Sequence, residues 1–512
     1  MNAKLLIRRD RVILHAPDGL TKLQTHNRNA IAGILSYRRD DYFFSEAYQT
    51  GRWSGVTELY RKKRAPKGTF PVFPGDGDWF QTGLLPRSVA AWARLFDIED
   101  QRDVPVITID ESKPSFQGLR PYQQEAVRAL FSFRAGDFPM PRGIIHLPPR
   151  SGKTRIAAAV IDQIPDRPVV FVVERIDLAR QTVAALTEQL DEPIGLVADG
   201  VADIQEVTVI TIQSLHLAFN IKYDKKDKYE HIEKVIAKRK PVADMVSNCA
   251  VFVLDEGHHA SNPSYRKAIM KARNAWCVLG LSGTPWMDDG SDLLLESVIG
   301  PIIYHRSHSY MVKNGYLVPL DIYFYKLPEL YCYSGHYTAV YKAAVVENPI
   351  KEHIILEATR SLLRAGKSVA ILVTQIAHAK RLTSLIPGAV MLTGKERGAY
   401  RHEVYKKLDQ KRIKCIVSTV FSEGIDVPSL DAAINADGGK DSRRVFQRLR
   451  MQTPSPGKLR GIYIDFIHQE EHLRKHSKRR LEFYESEDCF NVIIRDYEDY
   501  YRMKFSGQVP LA

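Results

Sequence analysis

Cysteine is scarce: Cys249, Cys277, Cys332, Cys415 and Cys489 are spread over 512 positions, and no two form a CxxC pair. That excludes a disulfide framework and a zinc knuckle, and suits a reducing, intracellular setting. No stretch approaches the roughly 20 uninterrupted apolar residues of a membrane span. The opening MNAKLLIRRDRVILHAPDG has no apolar run long enough for a signal peptide, so the chain is expected to stay where it is made. Low-complexity tracts and short repeats are also missing, which sets repeat architectures aside.

What is there is a globular composition, 44% hydrophobic, at a length that predicts three or four domains. The formal charge of +13 favours a polyanionic partner, nucleic acid or an anionic membrane surface, although a merely soluble basic protein would show it too.

Residues 1–112 combine strand-like alternation in KLLIRRDRVILH, a turn-rich PVFPGDGDWF and a helical PRSVAAWARLFDI, and predict a small α+β domain. Within it the run Arg61, Lys62, Lys63, Arg64 follows Trp53 and Tyr60, the mix of cations and flat rings that suits a nucleic-acid surface. A solvated charged loop has the same composition. From residue 113 short β-branched runs alternate with helical patterns: RGIIHL, VVFVV, VTVITI, AVFVLD and CVLGLS, then SVAILV, AVMLTG, KCIVST, AAINAD and RGIYIDF. The fold class is therefore α/β, with two tandem domains of parallel sheet covered by helices on both faces, residues 113–318 and 319–480. Residues 481–512 are read as a C-terminal extension. The lysine-rich KYDKKDKYEHIEKVIAKRK predicts an exposed helix or insertion.

IIHLPPRSGKT sets Arg150, Ser151, Gly152, Lys153 and Thr154 between a strand and the helix TRIAAAVIDQI. This is the phosphate-loop context, in which backbone N–H groups at a helix start hold phosphate, Lys153 reaches the β and γ oxygens, and Thr154 ligates Mg²⁺. About 100 residues later VFVLDEGHHA ends an apolar strand in Asp255 and Glu256. A zinc site would need further ligands at defined spacing, and adjacent histidines do not easily reach one ion. Asp255 is thus expected to hold Mg²⁺ and Glu256 to activate water, with His258 linking the nucleotide site to the rest of the domain. ATP and Mg²⁺ are the implied cofactors.

LRPYQQEAV, LPPRSGKT, ERIDLARQ, TIQSL, LDEGHH, LSGTP, VSTVFSEGIDVP and VFQRLRMQTP succeed one another in an order that resembles a superfamily 2 helicase. The DEGHH and SGTP forms look more like the XPB, RecG and restriction-translocase branch. GRWSG and GLLPRSV are similar to the N-terminal region of UvsW-type phage branch-migration helicases. The resemblance implies tandem RecA-like domains, and an N-terminal domain that grips duplex DNA. It implies that Gln123 contacts adenine, with Arg120 and Tyr122 framing the pocket, and that Ser282 and Thr284 couple hydrolysis to strand movement. Arg175, Gln181, Gln213 and Ser214, with Thr374, Thr393, Gly394 and Ser418, would line the track of one strand, mostly through phosphate and sugar. Thr374 and Ser418 would equally serve as caps, and Gln213 and Ser214 as a helix start. Gly424 and Asp426 would face ATP, or form a plain turn.

The last motif departs from the family pattern Q-R-x-G-R-x-x-R. Gln447, Arg448 and Leu449 run directly into Arg450, without the glycine, and Thr453 stands where the second arginine would be. Losing one helical residue rotates the later side chains by about 100°. Arg450 is expected to be the arginine finger, with Gln447 beside it and Arg448 the other candidate. The expected function is an ATP-dependent DNA helicase or translocase, a monomeric motor acting on forked or branched DNA in recombination, repair or replication. Other replication or recombination proteins are expected partners and a membrane is not; the setting is the cytoplasm of a bacterium or phage-infected cell. The alternatives are the duplex translocase of a restriction or defence system, although residues 1–112 hold no convincing PD…ExK cluster, and a weakly hydrolysing clamp or annealing protein.

Overall fold

Val169–Val173 and Val251–Asp255 are runs of β-branched and apolar residues with almost no alternation, and such runs belong in strands covered on both faces. A computed structural model describes residues 4–15, 34–38, 56–58, 78–92, 96–165, 168–219, 229–257, 265–266, 269–283, 292–330, 336–396, 398–420, 427–439 and 450–498. By contacts the chain divides into two units, Met1–Leu147 with Gly152–His305, and Pro148–Ser151 with Arg306–Ala512.

The first unit opens with a four-stranded sheet of β1 (Lys4–Ile7), β2 (Arg11–His15), β3 (Asp78–Gln81) and β4 (Asp97–Asp100), in the order β3-β2-β1-β4. Leu5 and Ile7 of β1 point inward and share a core with Phe80, Leu84, Leu85 and Val89. This small sheet is seated on the larger part of the unit. A methyl group on Gly83 would lie 2.2 Å from the Glu296 carbonyl, and Arg87 pairs with Glu296 at 2.7 Å.

The main sheet of this unit contains β5 (Arg142–His146), β6 (Val169–Val173), β7 (Ile194–Ala198), β8 (Val201–Asp203), β9 (Val207–Thr211), β10 (Val251–Asp255), β11 (Cys277–Ser282) and β12 (Ile302–His305). Their order is β8-β7-β9-β6-β10-β11-β5-β12, and every pair except β7 with β8 is parallel. The five strands read from the sequence are joined by β7, β8 and β12. The lysine-rich segment is helical over Tyr229–Asn248.

The second unit holds one all-parallel sheet of β13 (Leu320–Lys326), β14 (Val369–Leu372), β15 (Val390–Leu392), β16 (Cys415–Ser418), β17 (Ala432–Asn435), β18 (Gly461–Ile467) and β19 (Phe490–Asp496). The order is β15-β16-β14-β17-β18-β13-β19. Alternate residues of β14 enter opposite cores, Val369 and Ile371 on one face and Ala370 and Leu372 on the other. The expected α/β class with two parallel sheets is borne out. Strand β19 lies in the stretch read as an extension and pairs with β13 along all seven residues.

Among the described residues no helix is long and apolar enough to cross a membrane.

Candidate functional site

In a parallel sheet the carboxyl ends of the strands point one way, and the loops that leave them meet at one edge. In the first unit β5 runs into Leu147, and Gly152 starts the helix α1 (Lys153–Asp162). Gly152 has φ 73 and Arg150 φ 71, both in the left-handed region, so the chain turns sharply before the helix. The first N–H groups of such a helix have no partner within it. Lys153 begins the helix and donates from Nζ to the Leu147 carbonyl at 3.3 Å; Thr154 is next in the same turn.

Gln123 belongs to a separate helix, Pro121–Ser132, and is 2% exposed. A methyl group on Gly152 would lie 2.5 Å from its Nε2, so this amide packs directly on the turn. Its Oε1 accepts from the Arg120 backbone N–H at 2.9 Å, which fixes the amide's orientation. The structure thus brings Gln123 onto Gly152, and Tyr122 is fully buried beside Gln123 in the chain.

Asp255 ends β10, opposite Leu281 of β11, while Ser282 of β11 lies opposite His146 of β5. Strands sit about 4.8 Å apart, so Asp255 and the start of the turn are roughly 10 Å apart along one sheet edge. Glu256 is left-handed at φ 49 and donates its N–H to Asp255 Oδ1 at 3.0 Å, turning the chain away from the sheet. Two contacts absent from the sequence reading tie this edge together. The Leu147 N–H donates to the Ser282 carbonyl at 3.1 Å, and His146 Nε2 lies 3.1 Å from the Gly283 carbonyl. The His146 ring also stacks on His305 at 4.3 Å. No spacing rule joins residues so distant in the chain.

Arg175 stands just before the helix Ile176–Leu190, in extended conformation and exposed, and Gln181 is exposed on that helix. Gln213 and Ser214 lie in the first turn of Ile212–Phe219, where Thr211 Oγ1 bonds Ser214 Oγ at 3.0 Å. In the second unit Thr374, Thr393 with Gly394, and Ser418 stand at the ends of the adjacent strands β14, β15 and β16, which are in register at Leu372, Leu392 and Ser418. They therefore share one sheet edge.

Local bonds orient each of these groups. Thr374 Oγ1 is 2.7 Å from the Tyr341 hydroxyl, which donates to Asp437 Oδ1 at 3.1 Å. Thr393 donates from its N–H to Glu396 at 2.6 Å. Burial opposes ionisation of Glu396, but the bonds from Thr393 outweigh it and hold the carboxyl below its usual range. Ser418 is 1% exposed and caps the Val420 N–H at 3.1 Å. Arg450 opens a short 3-10 turn through Gln452. Trp53, Arg61, Lys62, Lys63, Arg64, His258, Thr284, Gly424, Asp426, Gln447 and Arg448 lie outside the described residues.

Among the described residues no three His, Cys, Asp or Glu side chains converge as metal ligands. Burial pushes the thiols of Cys249, Cys277 and Cys415 up to about 12, which keeps them neutral and unreactive.

Two parallel sheets in tandem, the first with a turn of this kind at its carboxyl edge, have the arrangement of tandem RecA-like domains. Residues 117–287 match the family "Type III restriction enzyme, res subunit". The chain is 24% identical over 379 residues to putative helicase 22 of Sulfolobus islandicus filamentous virus, covering 69% of this chain and 65% of that protein. It is 27% identical over 374 residues to the DNA 3'-5' translocase XPB2 of Sulfurisphaera tokodaii, covering 65% of this chain and 77% of that one. A fragment of a putative HsdR subunit of a type I restriction enzyme from Vibrio vulnificus has the same fold, with a TM-score of 0.53 at 14% identity over 81% of this chain and 74% of that one. The resemblance to superfamily 2 helicases, in the branch of XPB and the restriction translocases, is borne out. The chain spans 65% of the length of the first of these relatives.

Proposed function

We propose that the chain is an ATP-dependent DNA helicase or translocase that unwinds or branch-migrates forked and branched DNA in recombination, repair or replication, in the cytoplasm. The supporting observation is the carboxyl edge of the first sheet, where the left-handed Gly152 turn, its covering Gln123, and Asp255 with Glu256 lie along one line.

The donor set fits a magnesium nucleotide. One hydroxyl, Thr154, and one carboxylate, Asp255, are hard oxygen ligands that leave the remaining positions to phosphate and water. Held by Thr154 and Asp255, Mg²⁺ would supply positive charge against the negative charge that develops on the phosphate oxygens. The N–H groups that open α1 hold phosphate, and Lys153 exchanges the Leu147 carbonyl for phosphate oxygens. Gln123 selects adenine, Glu256 orients the attacking water and takes its proton, and Arg450 is the arginine finger. The strand-edge loops bearing Arg175, Gln213 and Ser214, and those bearing Thr374, Thr393, Gly394 and Ser418, hold the backbone of one DNA strand. Residues 1–112 grip duplex ahead of the two motor domains.

A second reading, duplex translocation without strand separation, is favoured by the restriction-subunit match over residues 117–287. Strand displacement on forked and plain duplexes separates the two. Fork unwinding with ATP, absent with a non-hydrolysable analogue, supports the helicase; ATP hydrolysis with movement but no displacement supports the alternative. In either case Lys153→Ala abolishes hydrolysis while DNA binding persists, and Glu256→Gln retains ATP binding without turnover. Equal loss of DNA and nucleotide binding in Lys153→Ala contradicts separate sites for the two.

A further inference from the structure

We infer that the first unit carries a second anion site, a cavity of about 340 Å³ at the sheet edge opposite the phosphate loop, which binds a phosphorylated small molecule of mononucleotide size. The cavity occupies a different part of the unit from the phosphate loop, so this site and the motor stand or fall separately.

Position separates the two sites. The cavity is lined by Arg142, Phe252 and Val278, which stand at or next to the first residues of β5, β10 and β11. The phosphate loop and Asp255 lie at the far ends of these strands.

Charge identifies the ligand class. Arg9, Arg11, Arg142, Lys271 and Arg273 line the cavity against one carboxylate, Asp10. That carboxylate is already gripped by Arg11, at 3.0 Å from Nε and 2.8 Å from Nη2. Arg142 is 8% exposed, and its guanidinium donates to three main-chain carbonyls, of Arg9 at 3.0 Å, Ile299 at 3.1 Å and Val298 at 3.2 Å. Carbonyls solvate a cation without neutralising it. Burial first, and then repulsion from Arg102, push Arg142 down to about 10, the mark of a buried charge short of counter-charge. Arg9 likewise donates to the carbonyls of Asn274 and Asp103, both at 3.0 Å. Among the described residues neither Lys271 nor Arg273 forms an ion pair.

The remaining wall sets the ligand's shape. Phe219, Phe252, Ile269 and Val298 give it an apolar side, with Lys271 5.5 Å above the Phe219 ring. A molecule with a phosphate at one end and a flat, largely apolar body satisfies both walls. The volume lies at the lower end of the roughly 300 to 1,000 Å³ common for small-molecule sites, and has no room for a duplex.

The test uses the full chain carrying Lys153→Ala, so that the phosphate loop is disabled, with AMP and inorganic phosphate as probes in calorimetry. One equivalent of AMP is expected to bind, more tightly than inorganic phosphate. Adding Lys271→Ala and Arg273→Ala, which remove cations without touching the buried Arg142, is expected to weaken AMP by about tenfold or more at an unchanged melting temperature. Absence of binding, or AMP binding that survives the double substitution, overturns the proposal. Equal binding of AMP and phosphate overturns the mononucleotide shape. If the double variant instead weakens fork-DNA binding and flattens its salt dependence while no small anion binds, the cavity serves nucleic-acid backbone and the proposal fails.

Discussion

Lys351 lies in the first turn of the helix Pro349–Arg364, fully buried, with its ammonium donating to the carbonyls of Ala436 at 2.8 Å and Val345 at 3.4 Å. Burial pushes it down to about 7 from 10.5, with Asp437 and Asp465 pulling the other way. Between those two values the unfolded chain holds a proton that the folded chain has released, so stability rises with pH across this window. Below about 7 both states are charged and the full penalty of burying the ammonium remains. Lys351→Met is therefore expected to melt with a flatter pH dependence than the natural chain between about pH 7 and 10. Parallel melting curves across that range would refute the assignment. Nothing in the sequence near Lys351 marks it as buried, because a lysine in the first turn of an amphipathic helix is ordinarily solvated. The places of Asp255 and Glu256 at a strand end and of Gly152 at a helix start were legible for the opposite reason: that strand or helix context lies within a few residues of each.

At the scale of elements, the strands with continuous β-branched runs were readable, and those with mixed composition were not. Phe490–Asp496 reads FNVIIRD, with charged and amide residues among its apolar ones, and its neighbour in the sheet lies far back in the chain at Leu320–Lys326. Its pairing satisfies the open edge of β13, which would otherwise present unpaired N–H and C=O groups. Phe490 is also anchored, its ring 6.3 Å from Phe483 and 5.5 Å from His308. Ending the chain at Glu485 is expected to destabilise the second unit by several kcal/mol and cause concentration-dependent aggregation through the bared edge. Phe490→Ala, which keeps the strand, should cost about 3 to 5 kcal/mol. Thermal melting and light scattering check both; a truncated chain that melts and scatters like the full one would show that β19 adds nothing to the sheet.

For the whole molecule, the proposed function together with the net charge of +13 predicts a DNA affinity that falls with salt. If Arg61 to Arg64 contact duplex phosphates, changing all four to alanine lowers the slope of log affinity against log salt by up to about 0.9 per lost contact. An unchanged slope returns the run to the solvated surface. By itself the sequence determined the α/β class, the two parallel sheets and the motif order, because hydrophobic period and phosphate-loop chemistry are written in contiguous residues. Only the tertiary structure decided that Gln123 covers Gly152, that His146 joins the Gly283 carbonyl and stacks on His305, and that Thr374, Thr393 and Ser418 share an edge. It alone gathered Arg9, Arg142, Lys271 and Arg273 around one cavity. These residues meet through strand order and register, which arise from packing between distant segments and leave no local periodicity to read.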